Sequence, residues 1–221
     1  MARTGGILTF CMIGAIVLAF LLGLLGQNAP ALGIIALLLN LAAFIMWFVV
    51  MIALKVDLDQ NNYHRAGGLV WAIIALTVIT IVLSIVAAIV AGTQLSRQGG
   101  AMTDPTTILR ALGVWAVVVG LVILAIQFCF LLLGVRLNEY ASIGGGIWKG
   151  AGVVLIIATS LGLLTIALYI VTVLTQAWGI AIVASILAFI FMLLWAVVWI
   201  LIGIGFMSDA NRMAMAAGAR R

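Results

Sequence analysis

Six long apolar stretches, separated by short polar interruptions, set the pattern of this chain: Gly6 to Gly26, Ala31 to Leu54, Gly67 to Gly92, Ala111 to Val135, Gly150 to Thr175 and Ala177 to Met207. Each exceeds the roughly 20 residues that a helix needs to cross about 30 Å of hydrocarbon. A spanning segment must satisfy its own backbone N–H and C=O groups, and runs of this length suit helices rather than the ~10-residue alternating strands of a barrel. The pattern therefore predicts an all-α membrane protein with six transmembrane helices. The connections are too short to bury a core of their own, so residues 1–221 read as a single six-helix domain.

Composition excludes a soluble alternative, because 67% of the residues are apolar and only 7% are charged. Arg3 ahead of the first stretch and Ala29-Pro30-Ala31 behind it imitate a signal peptide loosely. The apolar stretch is too long for a typical signal core, and a retained helix is expected. Cys11 and Cys129 both fall inside apolar stretches. There a thiol acts most simply as a small apolar side chain, and no disulfide between them is expected.

Six crossings put both termini on one side, together with the connections after the second and fourth helices. That side carries Arg3, Lys55, Arg65, Arg136, Lys149, Arg212, Arg220 and Arg221, against Arg97 and Arg110 on the other. The asymmetry predicts that both termini are cytoplasmic. The cations are spread over separate segments without interleaved aromatics, so no nucleic-acid partner is expected. Membrane lipids, whose anionic headgroups such cations meet, are the expected contact.

A recurring opening to the odd-numbered helices suggests an internal repeat. Arg3-Thr4-Gly5-Gly6 opens the first helix, Arg65-Ala66-Gly67-Gly68 the third and Ser142-Ile143-Gly144-Gly145 the fifth. The later two extend to Tyr63-x3-Gly67-Gly68-x2-Trp71 and Tyr140-x3-Gly144-Gly145-x2-Trp148. Pro30 and Pro105 precede the second and fourth helices, whereas Gln176-Ala177-Trp178 before the sixth lacks the proline. These features predict three parallel two-helix hairpins, of about residues 1–62, 63–139 and 140–221, around a pseudo-threefold axis. Paired glycines admit unusual backbone conformations and close approach, and Trp71 and Trp148 suit interfacial anchoring.

Small residues at intervals of four mark the odd helices: Ala15, Ala19 and Gly23; Thr80, Ser84, Ala88 and Gly92; Ala158 and Gly162, with Thr165 nearby. Small side chains let membrane helices approach closely, so the odd helices are expected at the centre, with the bulkier even helices more peripheral. The layout resembles that of mitochondrial carriers. Their Pro-x-Asp/Glu-x2-Lys/Arg signature is absent, however, and no family is assigned.

Candidate chemistry is sparse. No Asp, Glu, Lys, Arg or His falls clearly at mid-membrane depth, where such groups would mark proton relays or ion coupling. The strongest buried polar candidates are Asn40 and Gln127, supported by Thr77, Thr80, Ser84, Thr159, Ser160, Thr165 and Ser185. They are expected either to hydrogen-bond between helices, at roughly 0.6 kcal/mol each, or to line a narrow polar path. His64, with Asp57, Asp59 and Arg65 near it in sequence, lacks the further ligands of a metal site or the activated nucleophile of a catalytic pair. No metal, cofactor or enzymatic activity is expected, and Walker-type, Cys-x2-Cys and Ser/His/Asp motifs are missing.

The leading functional expectation is a non-catalytic structural or accessory subunit, in contact with other membrane-protein subunits or with copies of itself. A channel or facilitator for a small neutral or weakly polar solute is the alternative. An enzyme acting on lipid through the His64 loop is a distant third.

Overall fold

The computed structural model describes residues 2–25, 30–97, 105–175 and 178–218. They form six helices: α1 (Ala2–Leu25), α2 (Pro30–Gln60), α3 (His64–Arg97), α4 (Pro105–Gly144), α5 (Gly146–Thr175) and α6 (Trp178–Gly218). All six are long and apolar enough to cross a membrane. Pro30 and Pro105 are the first residues of α2 and α4, where a fixed φ favours helix initiation and the missing N–H has no intrahelical partner to lose. The other outer connection, Gln176-Ala177, lies outside the described residues.

Two tight turns join helices at one end of the bundle, called the base below. Between α2 and α3 the chain turns in three residues, with Asn62 left-handed at φ 58°. Tyr63 N–H donates to Leu58 O at 2.8 Å and Asn62 N–H to Asp59 O at 3.0 Å, closing the carbonyls at the end of α2. Between α4 and α5 the link is Gly145 alone, at φ 93°. Its N–H donates to Ala141 O at 3.0 Å, and Trp148 N–H donates to Gly145 O at 3.1 Å. A side chain at this φ is strained, and a Cβ would also meet the Arg212 guanidinium.

Helix packing among the described residues follows a closed circuit: α1 on α2, α2 on α3, and so in order to α6, which returns to α1. The expectation of a central trio of odd helices is corrected by this order, since each helix packs mainly on its neighbours in sequence. Even helices are not peripheral either. Phe130, Leu133, Leu137 and Tyr140 form one buried stripe of α4, and Val198, Ile202 and Phe206 one of α6. Their spacing of three or four residues keeps each set on a single helix face.

The small-residue faces divide. On α5, Ala158, Gly162 and Thr165 are buried, with Gly162 under the Phe191 ring. On α3, Ser84, Ala88 and Gly92 are exposed. Ala19 of α1 is buried and Gly23 faces open space. The tightest crossing joins α4 to α5, where a Cβ on Gly152 would stand 2.6 Å from Gly134 O and 2.7 Å from Asn138 N. Backbone atoms cannot yield as a flexible side chain can.

Gly152→Ala should therefore lower thermal stability in detergent by about 1–3 kcal/mol, the usual cost of overpacking. Gly14, which has nothing within 4 Å of its Cβ position, should accept alanine with no loss. Equal melting of the two variants would contradict the assigned α4–α5 crossing.

Candidate functional site

The core is densest at the base, and the polar contacts between helices gather there. Asp57 of α2 is 2% exposed and Asp209 of α6 is 6% exposed. Asp57 continues the face of Val50, Met51, Leu54 and Leu58, all fully buried. Asp209 follows Ile202 and Phe206 at helical spacing. The two carboxyl groups lie within hydrogen-bonding reach of each other, and such a bond requires a proton between them. Trp148 Nε1–H of α5 donates to Asp209 Oδ2 at 2.8 Å. Asp57 Oδ2 is buried and has no hydrogen-bond partner among the described residues, and with the Asp209 carboxyl beside it a second negative charge there is disfavoured. Arg212, one turn further along α6, adds a favourable charge for Asp209.

Rings from four segments surround this pair. Tyr63 packs on Tyr140 at 5.5 Å between centroids, Tyr140 on Trp148 at 5.5 Å, and Trp148 edge-on against Phe206 at 5.8 Å. Tyr63 Oη donates to Glu139 Oε2 at 2.7 Å, and Arg136 Nη1 donates to the same oxygen at 2.7 Å. Burial and then the Glu139 carboxylate raise the Tyr63 phenol above its ordinary value, so it remains a proton donor through the neutral range. At the rim, Lys55 and Asp59 pair at 2.7 Å, and His64 Nδ1 lies 3.3 Å from Asp59 Oδ1. Among the described residues, no group of three His, Cys, Asp or Glu could hold a metal ion.

The repeat residues thus perform unequal tasks. Tyr63 and Tyr140 meet directly. Trp148 is fully buried inside the protein, which corrects its expected role as an interfacial anchor, while Trp71 is 52% exposed beneath the Lys55 ammonium. Gly67 makes room for the Asp59 carboxylate, Gly68 faces open space, Gly144 ends α4 and Gly145 forms the turn.

A second feature lies halfway along the helices. A cavity of about 500 Å³ is bounded by α1, α2 and α6, with Thr77 contributed by α3. Asn40 lies on its wall, exposed to it, and pairs with no donor or acceptor among the described residues. Gln127 is not part of that wall, and its Oε1 is buried without a partner among the described residues. The two amides are not brought together.

The hydroxyls expected to bridge helices mostly turn back on their own. Thr77 donates to Ile73 O and Thr80 to Leu76 O, both at 2.8 Å; Thr159 donates to Leu155 O at 2.7 Å and Thr165 to Leu161 O at 2.8 Å. Such back-bonding satisfies the hydroxyl locally, which corrects the expectation of interhelical bonds at Thr80 and Thr159. Ser84 and Ser160 are exposed.

No family model, no curated protein and no solved structure matches this chain.

Trp148→Phe keeps most of the ring packing but leaves Asp209 without its N–H donor. Stability should fall by about 1–3 kcal/mol, the cost of an unmet buried acceptor. Asp57→Asn removes a buried carboxyl and offers Asp209 an amide donor, and should cost less. Denaturation of the two variants in detergent checks the order, and the reverse order would remove the carboxyl pair from its assigned role.

Proposed function

We propose that this chain is a non-catalytic integral membrane protein, a structural or accessory subunit whose outer faces contact lipid and other subunits. The observation that carries this reading is the disposition of its polar groups. At the base they bind one helix to the next, as Trp148 with Asp209 and Tyr63 with Glu139. The outward faces are left to large apolar side chains, such as Leu37, Leu41 and Ile45 on α2 and Ile182, Ile186 and Phe189 on α6. A surface of this kind is suited to lipid tails and to other helices.

Six crossings with both termini in the cytoplasm belong to the same proposal, supported by the excess of Lys and Arg on the base side. Three parallel hairpins about a pseudo-threefold axis are the finer form of it. The circuit of neighbours from α1 to α6 is the order that three hairpins set side by side would give.

A facilitator for small neutral solutes is the second reading, favoured by the position of Asn40 on a cavity wall. Apart from Asn40 and Thr77 the same wall is apolar or aromatic, and the base beyond it is filled by fully buried side chains, Trp148 and Phe206 among them.

Native mass spectrometry of the full chain in lipid nanodiscs tests the leading reading. A defined assembly, with copies of itself or with a stoichiometric companion, is expected; a lone chain that accelerates glycerol or urea flux into liposomes would overturn it. For topology, a cysteine replacing the exposed Asn62, in a chain without Cys11 and Cys129, should resist membrane-impermeant maleimides in intact cells and react after lysis.

A further inference from the structure

We propose that the cavity between α1, α2 and α6 binds one flat, uncharged, membrane-soluble molecule bearing a carbonyl oxygen, of the quinone or aromatic-ketone class, with that oxygen on the Asn40 amide. The inference rests on the membrane location proposed above but not on the subunit role. Three properties of the cavity specify such an occupant: its size, its walls and its single unpaired amide.

About 500 Å³ falls within the range of small-molecule sites, enough for a bicyclic ring with part of a tail. The walls are aromatic on two opposing helices. On α2, Phe44 and Trp47 are stacked with planes 9° apart and centroids 6.3 Å apart. On α6, Trp195 packs at 5.6 Å from Phe191 and edge-on at 6.1 Å from Trp199. Extended π-faces favour a flat ring over a flexible alkyl chain, which would gain no more from them than from leucine. No charged residue lines the space, and an ion there would lose its hydration without compensation.

Asn40 supplies direction. It lies ten residues after the start of the 31-residue α2, at a depth where water is scarce if α2 spans the bilayer. An amide left unpaired in such surroundings costs several kcal/mol. A carbonyl accepting from its Nδ2–H groups removes that cost. Thr77, the other polar residue on the wall, spends its proton on Ile73 O at 2.8 Å, so it can only accept. With the Asn40 amide and the indole N–H groups of Trp47, Trp195 and Trp199 on the wall, donors outnumber acceptors, and this favours an acceptor oxygen on the ligand.

The probe is menadione, titrated into the full chain in nanodiscs with empty nanodiscs as the reference. One saturable site per chain is expected, weakened about tenfold in Asn40→Leu, as loss of one good hydrogen bond implies, and unaffected by Trp148→Phe at the base. Asn40→Leu replaces an amide with an apolar side chain in an apolar wall, and its melting temperature, at or above that of the parent, confirms that the variant is folded. Three outcomes overturn the proposal: no saturable binding beyond empty nanodiscs, equal affinity in Asn40→Leu, or displacement of menadione by palmitate, which would assign the space to a lipid tail. A defined assembly that fails to bind menadione would sink the ligand site and leave the subunit reading intact. Binding by a chain that forms no assembly would do the reverse.

Discussion

The Asp209 carboxylate is the point on which the base is organised. It is buried on α6, accepts a hydrogen bond from the α5 indole of Trp148 and lies beside the buried Asp57 of α2. Three helices, α2 and the consecutive pair α5 and α6, thus meet at one small group. A carboxyl removed from water tolerates little displacement of its partners, because each lost contact exposes the full cost of burial. The rings around it, Tyr140 and Phe206 in particular, fill the remaining space and hold the donor in line. Apolar packing alone would leave helices like these free to slide and rotate against one another; this cluster sets their register.

The number and order of the helices were legible because the apolar stretches are long and their punctuation is sharp. The base was not. Asp57 sits two residues after Lys55 in a charged run, and Asp209 falls two residues past the last apolar stretch, so neither stands out in the sequence as a buried group. The helices in fact continue to Gln60 and Gly218. Carrying the helical period past the apolar stretch would have pointed to Asp57, which falls on the face of Val50 and Leu54. The repeat motif was informative about place and misleading about role. Its tyrosines converge on each other, whereas its tryptophans part, one buried and the other exposed. A shared spacing reports a shared backbone course, while burial depends on which neighbour the ring meets.

Small-residue stripes illustrate the same limit. Those of α5 are buried and those of α3 are not, although the spacing is alike. The decisive factor is whether the facing helix comes close enough, as α6 does where the Phe191 ring covers Gly162. Toward the end away from the base, the buried apolar residues among those described are mostly alanines, Ala19, Ala36, Ala87 and Ala184. Bulk and polar fixation are thus concentrated at one end, and the mid-level cavity begins where they thin out.

The single-residue link at Gly145 bears on the order of assembly. Two helices separated by one residue pay almost no loop-closure entropy when they come together, so α4 and α5 can dock as soon as both have left the ribosome. The α1–α6 seam is the opposite case, for its partners stand at the two extremes of the sequence. Until the last helix arrives, Trp148 has no acceptor and Asp57 no partner for its carboxyl. An incomplete chain therefore displays two unmet polar groups at its base, the kind of mark by which quality-control machinery can tell an unfinished product from a finished one.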